Sequence, residues 1–120
     1  MRISKHFKRS EFACKCGCGF SVVDVKLIDI LEAVRVHFNS PVKVNSACRC
    51  IEHNKNEGGA TASKHLQGLA ADIVVIGVSP SEVQTFVSGY VGAEWAGIGA
   101  YNTFTHIDSR ESPARWRIKL

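Results

Sequence analysis

Two stretches of the chain carry side chains that could do chemistry together. SKHLQGLAAD, residues 63–72, holds His65 and Asp72 and runs directly into the β-formers IVVIGV. FTHID, residues 104–108, holds His106 and Asp108. Side chains alternate along a strand, so FTHID sends Phe104, His106 and Asp108 to one face and Thr105 and Ile107 to the other. His65, Asp72 and His106 then make a set of two histidines and one carboxylate. Such a set suits zinc, because three protein donors fill three tetrahedral positions and leave the fourth for water, as in catalytic rather than structural sites. Water on that ion is acidic enough to supply hydroxide near neutral pH, and the ion polarises a carbonyl. Singly, each residue has an ordinary explanation: Ser63 as a cap, His65 as a surface residue, Asp72 as a turn residue and His106 as a structural strand histidine.

The five cysteines are the other reactive group, with Cys14, Cys16 and Cys18 in ACKCGCG and Cys48 and Cys50 in ACRC. Single-residue gaps do not match the CxxC spacing of zinc knuckles and ribbons. A structural role fits them: a disulfide or buried thiols tying the N-terminal loop to the 48–50 segment. A second metal site is the alternative and a catalytic thiol the lesser one, and clustering alone fixes no redox compartment.

These residues need elements to position them. DVKLIDILEAVRVHF, from Asp24, places Leu27, Ile28, Leu31, Val34 and Phe38 at helical spacing, with acids toward its start and Arg35 and His37 toward its end. Asn39, Ser40 and Pro41 end that helix, and VKVNSA alternates as a half-buried strand. CRCIEHNKNEGGATASKH reads as a long loop with a short helical turn around Glu52 to Asn56. ADIVVIGV is expected to be a buried strand. Ser79, Pro80 and Glu82 signal a helix start, and that helix should stop before Gly92. WAGIGAY and FTHIDS read as strands joined by a turn at Asn102 and Thr103, followed by a basic tail, PARWRIKL. Residues 1–21 read as an irregular, Cys-rich segment packed on the rest. The expected fold is α+β, one small domain over residues 1–120, with an antiparallel or mixed sheet and two main helices.

A chain of 120 residues is long enough for one core and short for two. An apolar content of 45% is that of a globular protein, and no run approaches the roughly 20 apolar residues of a membrane span. MRISKHFKRSEF is basic without an apolar stretch behind it, so no secretory signal is expected. The net charge of +4 is dispersed, with no Lys/Arg block interleaved with aromatics, which argues against a nucleic-acid groove.

The pattern SxHxxGxAxD, made by Ser63, His65, Gly68, Ala70 and Asp72 with HxD downstream at His106 and Asp108, resembles the zinc D-alanyl-D-alanine carboxypeptidases. That family includes the vancomycin-resistance dipeptidases and phage L-alanyl-D-glutamate endolysins, and hedgehog signalling domains share its zinc fold. FKRSEFACKCGCG, PVKVNSACRCIEHNKNEGGATASKH and GIGAYNTFTHID look like its compact phage and prophage branch, so the likeness covers nearly the whole chain. It implies one catalytic Zn2+ on His65, Asp72 and His106. It implies that Arg49 grips a carboxylate or carbonyl of the substrate, which a guanidinium fork does with two parallel hydrogen bonds. Ser63, Gln67 and His53 would line the same cleft, and Gly68 and Ala70 would keep the chain thin between ligands.

One position departs from the pattern. Many members carry an acidic general base three residues before the second zinc histidine, where this chain has Thr103. Asp108 is the nearest candidate for the proton transfer, with an orienting role on His106 as its competing assignment. Glu52 and His53 are reserve candidates. The resemblance implies a zinc peptidase of peptidoglycan stem peptides; with no signal peptide expected, it reads as an endolysin or tail-associated lysin made in the cytoplasm and acting on the cell wall, and a monomer is expected. A zinc-stabilised binding module without catalysis is the alternative, and a cysteine-built nucleic-acid module the weakest.

Overall fold

The computed structural model describes residues 4–12, 24–46 and 70–117. Its elements are a 3-10 turn at Arg9–Phe12, helix α1 at Val25–Phe38, strands β1 at Val42–Ser46 and β2 at Ala70–Val75, helix α2 at Pro80–Val91, and strands β3 at Gly97–Ala100, β4 at Thr105–Asp108 and β5 at Ala114–Arg117. The strands form one sheet in the order β1-β2-β4-β3-β5. Every pairing is antiparallel except that of β3 with β5, which is parallel, so the α+β fold carries a mixed sheet.

Both helices begin and end where local chemistry directs. Asp24 is the N-cap of α1, but its carboxylate makes no capping bond; it accepts instead from the Ser109 hydroxyl at 2.9 Å, joining the helix start to the end of β4. Asn39 in the left-handed region, φ 48°, turns the chain out of α1. At α2 the Ser79 hydroxyl accepts from the Glu82 backbone N–H at 3.2 Å and Pro80 opens the first turn. The Glu82 carboxylate accepts from that same hydroxyl at 3.1 Å. Gly92, φ 83°, stops the helix.

One apolar cluster fills the space between helices and sheet. Leu27, Leu31 and Val34 of α1 and Val83 and Val87 of α2 meet Ala71, Ile73, Ile98 and Ile107 of the strands. Ile30 joins them although its position falls outside the expected stripe.

Three expectations need correction. The strand expected through IVVIGV ends at Val75: Gly77, φ 79°, makes a turn that leaves Ile76 more than half exposed. The N-terminal segment is not wholly irregular, since it has a 3-10 turn that ends in Phe12, which meets Phe7 from just ahead of the turn as a tilted aromatic pair in the core. It is tied to α1 through Glu32, which accepts from the Ser4 hydroxyl and from the backbone and ring of His6. Burial alone would raise the Glu32 carboxyl, but these donors outweigh it and hold it below its ordinary value. Finally, the basic tail contains β5, whose Arg115 and Arg117 turn to α2 and reach Ser88 and Gln84. Among the described residues no helix is long and apolar enough to cross a membrane.

Candidate active site

The sheet face opposite the helices carries the polar cluster. Alternation puts Ala71, Ile73 and Val75 of β2 on the core side and Asp72 on the other, and it does the same for Ile107 and His106 of β4. The strand registers then align a row across the sheet: Ser46 pairs with Asp72, Asp72 with His106, His106 with Gly99 and Gly99 with Trp116. Asp72 and His106, 34 residues apart in sequence, are thus direct cross-strand neighbours.

His106 has a carboxylate at each ring nitrogen. Nδ1 lies 3.0 Å from an Asp72 oxygen and Nε2 lies 2.7 Å from an Asp108 oxygen. Burial would lower the imidazole's proton affinity, but the hydrogen bonds and charges of Asp108 and Asp72 reverse that and raise it above the ordinary histidine value.

Asp108 is fully buried and saturated with donors. Its Oδ1 accepts from the backbone N–H groups of Gly97 and Arg110 and from Arg110 Nε at 2.8 Å; its Oδ2 lies 2.7 Å from both Arg110 Nη2 and His106 Nε2. Burial would raise this carboxyl, yet the donors from His106 and Arg110 hold it far below the usual carboxylate range. The expected placement of His106 and Asp108 on one strand face is what the geometry contains.

Gly97, Gly99, Arg110 and Trp116 also belong to this face, and sequence reasoning missed them. A Cβ on Gly97 would come within 2.5 Å of the Asp108 carboxylate, and one on Gly99 within 2.3 Å of the Trp116 indole. Two glycines at alternate positions of a strand, in GIGAY, are the sequence signal of a close approach on that face. Arg110, two residues beyond Asp108, extends HxD to HxDxR.

Asp72 and His106 have the chemistry of metal donors. Two ligands of one tetrahedral zinc, each at about 2.0–2.1 Å, stand roughly 3.3 Å apart, close to the 3.0 Å between Asp72 Oδ1 and His106 Nδ1. A metal-bound histidine commonly donates its other ring N–H to a carboxylate, and Asp108 stands at Nε2 for that purpose. Among the described residues no three His, Cys, Asp or Glu side chains are arranged so as to hold a metal ion by themselves. His65 lies outside the described residues, as do Arg49, Glu52, His53, Ser63, Gln67, Gly68 and the five cysteines. Thr103 is exposed in the turn between β3 and β4. A cavity of about 770 Å³ lies elsewhere, where His37, Phe38, Phe86 and Tyr90 line the space beside the two helices, and it contains none of this cluster.

The model of the family described as Peptidase M15 matches residues 5–108. The chain belongs to the peptidase M15 family. That membership makes it a peptidase fold of a generally zinc-dependent family, as SxHxxGxAxD and HxD implied. A search of curated proteins finds no match. The M15 span ends at Asp108, so β5 with Trp116, and Arg110 before it, lie beyond the matched residues.

Proposed function

We propose that this M15 chain is a zinc peptidase that cuts the stem peptides of bacterial peptidoglycan, with one ion held by His65, Asp72 and His106. The observation that carries the proposal is the cross-strand pair: Asp72 and His106 on adjacent strands, their donor atoms 3.0 Å apart, with a carboxylate fixed behind the imidazole. Bound zinc would supply an acidified water and polarise the scissile carbonyl.

The chain's own residues have separate tasks. Asp72 and the Nδ1 face of His106 offer the donors, on strands rigid enough to hold them at fixed spacing. Asp108 is assigned to orient His106 rather than to move the proton. A base must be free to take up a proton near the working pH, and a buried carboxylate with five donors, held well below its ordinary range, is not. The proton transfer then falls to Glu52 or His53, with Arg49 gripping the substrate carboxylate and Ser63 and Gln67 lining the cleft. The phage-branch likeness supports a lysin, an endolysin or tail-associated enzyme delivered to the cell wall.

Digestion of purified peptidoglycan with zinc-loaded and chelator-treated protein, followed by mass spectrometry of the new termini, tests this. New D-Ala or L-Ala carboxyl termini in the zinc-loaded sample alone are expected; intact peptidoglycan in both rejects the enzyme. A second reading, a zinc-stabilised cell-wall binding module, draws on Thr103 at the usual base position and on the saturated Asp108. It predicts zinc-dependent sedimentation with peptidoglycan and no new termini.

A further inference from the structure

We propose that Arg110 is a positioning residue for His106: its guanidinium, set between the Asp108 carboxylate and the Trp116 indole, locks that carboxylate on the Nε2–H of His106 and so reserves Nδ1 for the ion. The inference rests on the zinc-peptidase proposal above and adds a part of the site, from outside the M15 span, that the proposal does not contain.

The lock is geometric. Arg110 makes a two-pronged contact with Asp108, Nε to Oδ1 at 2.8 Å and Nη2 to Oδ2 at 2.7 Å. The backbone N–H groups of Gly97 and Arg110 add donors to Oδ1 at 3.0 and 3.1 Å. A carboxylate has about four lone-pair directions. With four donors from Gly97 and Arg110 in place it cannot rotate without breaking several charge-assisted bonds, so the oxygen facing His106 is fixed. A neutral imidazole donates from one nitrogen and accepts at the other. With an ion between Nδ1 and Asp72, an immobile anion at Nε2 would hold the one ring proton there and leave the Nδ1 lone pair for the ion.

Arg110 is itself held. Its Cζ lies 5.4 Å from the Trp116 ring centroid, as a planar guanidinium over an aromatic face does. Trp116 is anchored by its indole N–H to the Tyr101 hydroxyl at 3.1 Å, and its ring centroid lies 5.3 Å from that of His106. The room for both comes from the glycines: a side chain at Gly97 would strike Asp108 and Arg110, and one at Gly99 would strike Trp116. A lysine would keep the charge but not the fork.

The test compares full-length wild type with Arg110→Gln, Arg110→Lys and His106→Ala. Zinc affinity is measured by chelator competition, and the His106 ring signals are followed by 15N NMR in the zinc-loaded proteins. The expected result is a zinc Kd weakened about 10–100-fold in Arg110→Gln and by less in Arg110→Lys, with the slowly exchanging Nε2–H of wild-type His106 becoming fast-exchanging in Arg110→Gln. A merely structural Arg110 would lower the melting temperature without moving that proton signal. Should Arg110→Gln fail to fold, Arg110→Lys decides. If His106→Ala loses zinc while both Arg110 variants bind within twofold of wild type with the Nε2–H signal unchanged, the site stands and the Arg110 lock is wrong. If wild type and His106→Ala bind zinc alike, the metal site itself fails, and the lock with it.

Discussion

The two faces of the sheet are stabilised by different physics. On the helix side, Ile73, Ile98 and Ile107 are held by burial against α1 and α2, at about 25 cal/mol per Å² of apolar surface, a force without direction. On the opposite side, Asp72, His106, Asp108 and Arg110 are held by directional, charge-assisted hydrogen bonds, each of which depends on the others. β4 belongs to both, with Thr105 and Ile107 facing the core and His106 and Asp108 facing the cluster. The lesson is a division of labour: one face packs the sheet against the helices, and the other gathers its buried polar side chains.

That division breaks most visibly on the polar side. His106→Ala or Asp72→Asn should lower peptidoglycan cleavage about a thousandfold, since an ion's contribution to the barrier is several kcal/mol. Denaturant titration of the same metal-free variants should show far smaller changes in stability. The mirror experiment is Ile107→Ala, one position along the same strand. Removing a fully buried side chain there should cost about 2–5 kcal/mol of unfolding free energy, while zinc bound per folded molecule, read by metal analysis, stays the same.

Gly97→Ala probes the polar face from the neighbouring strand. Its Cβ would press on the Asp108 carboxylate and Arg110, so chemical denaturation should show a loss of about 1–3 kcal/mol, accompanied by weaker zinc binding. The smallest effect should come from Glu32→Gln, far from the site on the N-terminal tie: up to about 1 kcal/mol for a partly exposed pair. Because the folded Glu32 carboxyl sits below its ordinary value, its contribution is present above an unfolded value of 4.5 and disappears as pH falls through the folded one. Wild type and Glu32→Gln should therefore converge in melting temperature toward pH 3, with catalysis equal at neutral pH.

The sequence made the polar face more legible than its supports. Period-two alternation in FTHID was enough to put His106 and Asp108 on one face, and the stripe of Leu27, Leu31 and Val34 was enough for α1. The direct pairing of Asp72 with His106 was not readable, because register is a property of two strands 34 residues apart. β5 escaped because ARWR puts two arginines and one tryptophan on an edge strand with hardly any apolar signal. Phe7 and Phe12 escaped because a four-residue 3-10 turn and the short stretch ahead of it hold too few residues to show a period. The role suggested for Asp108 shifted because sequence counts a carboxylate as available, whereas Gly97, Arg110 and burial commit it.

A crystal structure of the zinc-loaded protein is the most direct test. The expected result is one ion bonded to His106 through Nδ1 and to an Asp72 oxygen, with His65 as the third ligand and Asp108 still paired to Nε2. An ion held by the cysteines, or His106 bound through Nε2 with Asp108 displaced, would contradict it.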